Sequence, residues 1–285
     1  MLGEYYKERL ILTDTAILKE AGALSVFVSH NSLIFSISDK SFKKTAQLVH
    51  IELINLPGAT QSLTEKITFL FNNYQLPQKK FEKITISILS KDFTLVPEAY
   101  SNSNDLKDFL SFSSGLTEVK NPQVHTIKNV KFCSAFDQEL IQYLEKTFTQ
   151  AIIKHAGAIN TDLFFSNHSL MNCNLFLSLN DGLLEIAAKE KNDLLFYNVF
   201  SYENNEDVLY YLLFMMEQFN LNPMQIKLLI AGQLQTNDPL ILSIKKYIKQ
   251  VNFVVHAADI KLEGELAKLP HHYYFTLLNQ YLCVL

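Results

Sequence analysis

The chain has 285 residues, of which 48% are apolar and 19% charged, with a formal net charge of −4; that is enough apolar sequence for one large core or two medium ones. The balance excludes a long acidic or basic tail and leaves no electrostatic footprint for nucleic acid. Arg9 is the one arginine, so there is little material for the bidentate guanidinium clamps that hold phosphates and carboxylates.

Residues 24–38 read as two apolar runs around His30-Asn31, which has turn chemistry, so a β-hairpin is expected there. A strand at 47–54 follows, then the punctuation Leu56-Pro57-Gly58. Ser62 and Glu65 have capping-box spacing ahead of a helix over 63–75, striped by Leu63, Ile67, Leu70, Phe71 and Tyr74. A strand at 83–89 closes this first unit. A short helix near 105–112 runs into Ser113-Ser114-Gly115, read as a loop. A strand at 129–134, a helix at 137–148, a strand at 151–156 and a helix at 158–166 come next.

The opening pattern then recurs. Residues 173–188 form two runs around Asn180-Asp181-Gly182, and a strand follows at 193–200. A helix over 205–219 has Asn204 as N-cap and Asp207 at N3, and a strand at 226–231 ends the unit. The same order of hairpin, strand, helix, strand thus occurs twice, about 150 residues apart, as a repeat of pattern rather than of identity. Asp238-Pro239 starts a further helix, and a strand is expected at 252–256. Residues 271–285 are apolar and helical at first; Leu277, Leu278, Tyr281, Leu282 and Leu285 should pack into a core.

Cys133, Cys173 and Cys283 are scattered, form no C-x-x-C, and read as small buried hydrophobes in a reducing compartment. No signal peptide is visible and no apolar run approaches the roughly 20 residues of a membrane span. A cytoplasmic protein without an integral membrane segment is expected. None of the eight histidines has zinc-ligand spacing, so no metal site is expected; His50 and His256 fall in apolar strands as core or rim histidines. The aromatic run Tyr273-Tyr274-Phe275 reads as packing against the first half.

In this element order the chain resembles the actin-like ATPase superfamily, closest to its pilus-assembly and cell-division branch, and also resembles the bacterial domain-of-unknown-function family 3822. The resemblance covers residue 22 to the end. It implies an α/β protein with a duplicated ribonuclease-H-like fold and two halves facing across a cleft: residues 1–169 with the α/β connection, and residues 170–285 with the C-terminal segment packing back on the core. Working members of the superfamily place an Asp-x-Gly in each hairpin turn for Mg²⁺ and phosphate, and a Gly-Gly pair after the last strand of the second unit for adenosine. Here the first turn is Ser29-His30-Asn31-Ser32, without carboxylate or glycine. The second is Asn180-Asp181-Gly182, which keeps the glycine but has asparagine at the first position, and Asn-Asp-Gly is by itself a strong tight-turn sequence. The third is Ala231-Gly232, a partial match. Asp181 is expected to point away and not to replace the missing carboxylate.

These residues frame the expectations. Asn31, Asn180, Asp181, Gly182 and Gly232 would form a vestigial nucleotide site, with no catalytic residue, no metal and no cofactor. The function expected is a non-catalytic binding or assembly protein with a protein partner and no nucleic acid. The alternative is an ATP-binding protein or weak ATPase that uses the cleft between the halves.

Overall fold

A computed structural model of the protein describes residues 6–14, 18, 21–54, 61–101, 105–119, 121–166, 173–257 and 260–283. Strands β1 (Tyr6–Thr13), β2 (Ala21–Val28), β3 (Ser32–Asp39) and β4 (Lys44–Leu53) precede helix α1 (Leu63–Asn73) and β5 (Lys83–Ile88). An excursion follows: β6 (Phe93–Pro97), α2 (Leu106–Ser114), β7 (Gln123–Ile127) and β8 (Val130–Ser134). Then come α3 (Gln138–Thr147), β9 (Ala151–His155) and α4 (Ala156–Ser166). The second unit is β10 (Leu175–Asn180), β11 (Leu183–Glu190), β12 (Asp193–Ser201), α5 (Asn205–Gln218) and β13 (Lys227–Gly232), continued by α6 (Pro239–Tyr247) and β14 (Gln250–Phe253). The short β15 (Lys261–Leu262), helix α7 (Phe275–Asn279) and a 3₁₀ turn, Gln280–Cys283, end the described chain.

The two units have one topology. The first sheet runs β1-β4-β3-β2-β5-β9, with β15 on the outer edge of β4, and the second runs β12-β11-β10-β13-β14. From β4 to β9 and from β12 to β14 the pairings follow the same course: two antiparallel, then two parallel. The parallel steps need crossovers, and helices supply them. The excursion between β5 and β9 forms its own sheet, β6-β8-β7, and has no counterpart in the second unit.

The caps act as the sequence predicts. Ser62 and Glu65 make a reciprocal capping box on α1, Asn204 and Asp207 make another on α5, and Asp238 caps α6 with Pro239 at its first position. Along each sheet the side chains alternate between two cores, because both faces are covered. Leu24, Val26 and Val28 of β2 pack under α1 and α3, while Ala23 and Phe27 face the other way. In the second sheet Leu175, Leu177 and Leu179 pack under α5 and α6, while Phe176 faces inward. The inward faces of both sheets share one core with α4 and the C-terminal segment. Helix α4 is buried all round from Ala156 to Phe165 except Asp162, which is why its sequence carries apolar residues without a stripe.

The structure departs from the sequence reading in several places, among them Ser113 and Ser114, read as loop, which form the last residues of helix α2. Strands β1, β6, β7 and β15 are not foreseen in the sequence: the exposed faces of the first three blur the apolar alternation, and β15 is only two residues long. Strand β14 lies at Gln250–Phe253, where the sequence reading has 252–256. In the C-terminal segment Leu277, Leu278 and Tyr281 are buried as expected, but Leu282 is 41% exposed because the 3₁₀ turn rotates it outward; Leu285 lies outside the described residues.

Candidate functional site

The two hairpin turns meet in the cleft. In the first, Ser29 N donates to Ser32 O at 2.9 Å and the two serine hydroxyls lie 3.0 Å apart, so the turn closes on itself. In the second, Asp181 and Gly182 both have positive φ, 39° and 81°, as a two-residue hairpin of the Asp-Gly type requires. Asn31 Nδ2 reaches across and donates to the Asp181 carbonyl at 2.7 Å.

Asp181 does not point away, contrary to the sequence reading. The left-handed backbone of the turn aims its carboxylate back at the first half, where Oδ2 lies 2.8 Å from His50 Nε2. His50 is on β4 and only 1% exposed. Its Nδ1 receives Gln233 Nε2 at 2.8 Å and has the Tyr274 hydroxyl at 3.3 Å. With Nδ1 facing the Gln233 amide, Nε2 is the nitrogen that faces the Asp181 carboxylate. Four chain segments are thus tied across the cleft: β4, the second hairpin turn, the residue after β13, and Tyr274 ahead of α7.

Asn180 turns away from the cleft mouth. Its Nδ2 donates to Ser178 Oγ and to Glu185 Oε1, both at 3.0 Å. Glu185 is fully buried on the inward face of β11 and also accepts from Asn160 Nδ2 of α4 and from the Tyr197 hydroxyl at 2.8 Å. Burial pushes its carboxyl up, and the hydrogen bonds from Asn160, Tyr197, Ser178 and Asn180 pull the other way. A buried carboxylate is tolerated only when donors surround it in this manner.

Gly232 has φ +116° and pairs with Leu179, and a Cβ there would lie 2.6 Å from the Leu179 carbonyl oxygen. The close approach of β13 to β10 therefore requires glycine at this end of the strand. Beside it lies a cavity of about 220 Å³ between the halves, lined by Phe27 and Ile34 from the first half and by Asn180, Asp181, Gly232 and Tyr274 among others.

Of the five residues read from the sequence, Asn31, Asp181 and Gly182 come together at the touching turns, Asn180 and Asp181 line the cavity, and Gly232 forms its wall. A phosphate chain placed between the turns, as the resemblance implies, does not fit this arrangement: 2.7 Å separates Asn31 Nδ2 from the Asp181 carbonyl. The cavity has no lysine or arginine in its lining among the described residues. Sequence reasoning missed His50, Gln233, Glu185 and Asn160 as members of this site. A signal existed for Glu185, a lone charge in the apolar strand LLEIAA; the pairing of His50 with a turn 131 residues away had none.

No helix among the described residues is long and apolar enough to cross a membrane. A comparison with curated proteins gives no match. Among solved structures, the chain is similar to a protein with actin-like ATPase fold and unknown function from Bacteroides thetaiotaomicron, at 22% identity and a TM-score of 0.68, over 85% of this chain and 94% of that one. It is also similar to the PilM-PilN type IV pilus biogenesis complex, at 8% identity and a TM-score of 0.57, over 93% of this chain and 99% of that one. At these identities the likeness establishes the fold: an α/β actin-like ATPase fold, with two ribonuclease-H-like halves facing across a cleft. Residues 13–251 match the family described as "Protein of unknown function (DUF3822)", and the chain belongs to that family.

Proposed function

We propose that this protein is a non-catalytic binding or assembly protein of the cytoplasm, built on an actin-like ATPase fold whose phosphate motifs have decayed. The observation that carries this reading is the contact of the two hairpin turns through Asn31 and Asp181, reinforced by His50. Phosphoryl transfer is catalysed by positioning and by stabilising negative charge. Here the first turn offers no carboxylate, Asn180 is neutral and engaged with Glu185, and Asp181 is engaged with His50. The halves proposed are residues 1–169 and 170–285, and the outer cores under α1/α3 and α5/α6 support the division, since each draws on one half alone. A protein partner belongs to this reading, as one relative in fold forms part of a type IV pilus biogenesis complex.

One observation favours a second reading, an ATP-binding protein or weak ATPase: Gly232, with its positive φ, stands at the wall of a cavity between the halves. Binding of a nucleotide there would require the turns to part. The deciding experiment is Mg·ATP turnover by purified protein, with Asn180→Ala as control and a melting scan beside it. The expected result is no turnover and no shift. A ligand at 100 times its Kd stabilises by about 2.7 kcal/mol, so binding would be plain. Multiple turnovers abolished by Asn180→Ala would refute the proposal.

A further inference from the structure

The cavity between the halves has a chemistry opposite to that of a phosphate site. Two side chains of its polar floor, Asn180 and Thr276, present acceptors, because their own donors are turned away from it. Both N–H bonds of the Asn180 amide go to Ser178 and Glu185, which leaves Oδ1 for the cavity. The single hydroxyl proton of Thr276, a residue 5% exposed, goes to Asn160 Oδ1 at 2.9 Å, which leaves its lone pairs. Asp181 adds a carboxylate at the rim, with its side chain 26% exposed. Phe27, Tyr202, Tyr274 and Phe275 supply aromatic surface, and ring faces attract cations. No cationic side chain lines the space among the described residues.

We infer that this cleft binds a small organic monocation, an aryl-alkyl ammonium whose charged head sits at Asp181 and whose apolar body lies against the rings. An ammonium has three donors and no acceptor, which complements a wall of carboxylate, amide oxygen and hydroxyl lone pairs. The volume of about 220 Å³ is below the roughly 300–1,000 Å³ of drug-sized sites, so the ligand is a monoamine rather than a nucleotide. The inference rests on the proposal that the cleft takes no phosphate.

The test is calorimetric titration with three probes of one size: phenethylamine, 2-phenylethanol and 3-phenylpropionate. Phenethylamine is expected to bind saturably at one site, at least about tenfold more tightly than the alcohol, with the acid weakest. Asp181→Asn should weaken the amine about tenfold and leave the alcohol unchanged; Tyr202→Leu should weaken the amine as well. Equal affinity for amine and alcohol, tighter binding of the acid, or no saturable binding of the amine overturns the inference. The comparison of probes on the unaltered protein decides the charge preference even where Asp181→Asn folds poorly. The outcome is separable from the reading of function: ATP turnover sinks that reading whatever the amine does, and failure of amine binding leaves it standing.

Discussion

Asn31 and Asp181 are 150 residues apart in the chain, yet Asn31 Nδ2 donates to the Asp181 carbonyl at 2.7 Å and joins the tips of two hairpins that belong to different sheets. With His50, which reaches the same aspartate at 2.8 Å, this contact ties the two halves together at the rim of the cleft.

Removing that contact should loosen the protein measurably. An intramolecular hydrogen bond contributes about 0.5–1.5 kcal/mol, and Asn31→Ala is expected to lower unfolding free energy in urea by that amount. His50→Ala should cost more, since it removes a buried ring together with its contacts to Asp181, Gln233 and Tyr274. Unchanged urea midpoints for both variants would mean that the turns do not touch in solution.

Gly232→Ala is expected to be among the most damaging single-methyl changes in the protein. The φ of +116° disfavours any L side chain, and the new Cβ would meet the Leu179 backbone oxygen at 2.6 Å. Strain of this kind costs on the order of 1–3 kcal/mol before the clash is counted. Thermal melting should fall by several degrees, and a variant that melts within a degree of the parent contradicts the close approach of the two strands.

Five histidines are lowered by burial, His30, His125, His155, His256 and His272, and make stability depend on acid. Burial lowers His155 and His256 to about 3, against about 6.5 in an unfolded chain. Because the folded values are depressed, the stabilisation is whole above pH 6.5 and is lost as pH falls from there towards 3. Each histidine contributes a slope of up to about 1.4 kcal/mol per pH unit in that window. Glu185, pushed up by burial, acts in the opposite sense: its contribution is present in acid and is lost as pH rises through its folded value. Melting temperatures at pH 7, 6 and 5 should fall steadily, and His155→Gln should flatten the acid limb. A level profile from pH 7 to 5 would contradict neutral burial of the pair.

Truncation after Pro270 should leave an insoluble or strongly destabilised protein. It removes Phe275, Leu277, Leu278 and Tyr281, all buried in the core shared by the two sheets, each contributing about 1.5–3 kcal/mol. Soluble truncated protein with the parent's melting temperature would show that this packing does not matter.

Much of the architecture could be read from the chain because local signals agreed. The capping boxes at Ser62 and Asn204, the apolar stripes that follow them, and the turn chemistry at His30-Asn31 and Asp181-Gly182 each specify an element without reference to the rest of the molecule. The strands that escaped notice lack such agreement: β1 has exposed Lys7, Glu8 and Arg9 on a sheet edge, where no burial imposes a pattern. The site was half legible for a related reason. Asp181 was assigned a direction by strand alternation, but a left-handed residue in a turn breaks that alternation and swings the carboxylate toward His50. His50 stood out only as a histidine in an apolar strand, because its partners Gln233 and Tyr274 lie 183 and 224 residues downstream.

The C-terminal segment has a bearing on biosynthesis. Gln280 Nε2 donates to the Thr85 carbonyl at 3.0 Å and lies 3.3 Å from the carbonyl of Val26, 254 positions earlier, and Phe42 stacks on Tyr281 with ring centroids 5.3 Å apart. The inner face of the first sheet is therefore covered in part by side chains 195 to 254 positions downstream of the residues they touch. In synthesis at some 5–20 residues per second, a nascent first half keeps part of its inner apolar face uncovered until the segment around Phe275–Tyr281 follows the second sheet. The two halves are separate in topology and inseparable in time of completion.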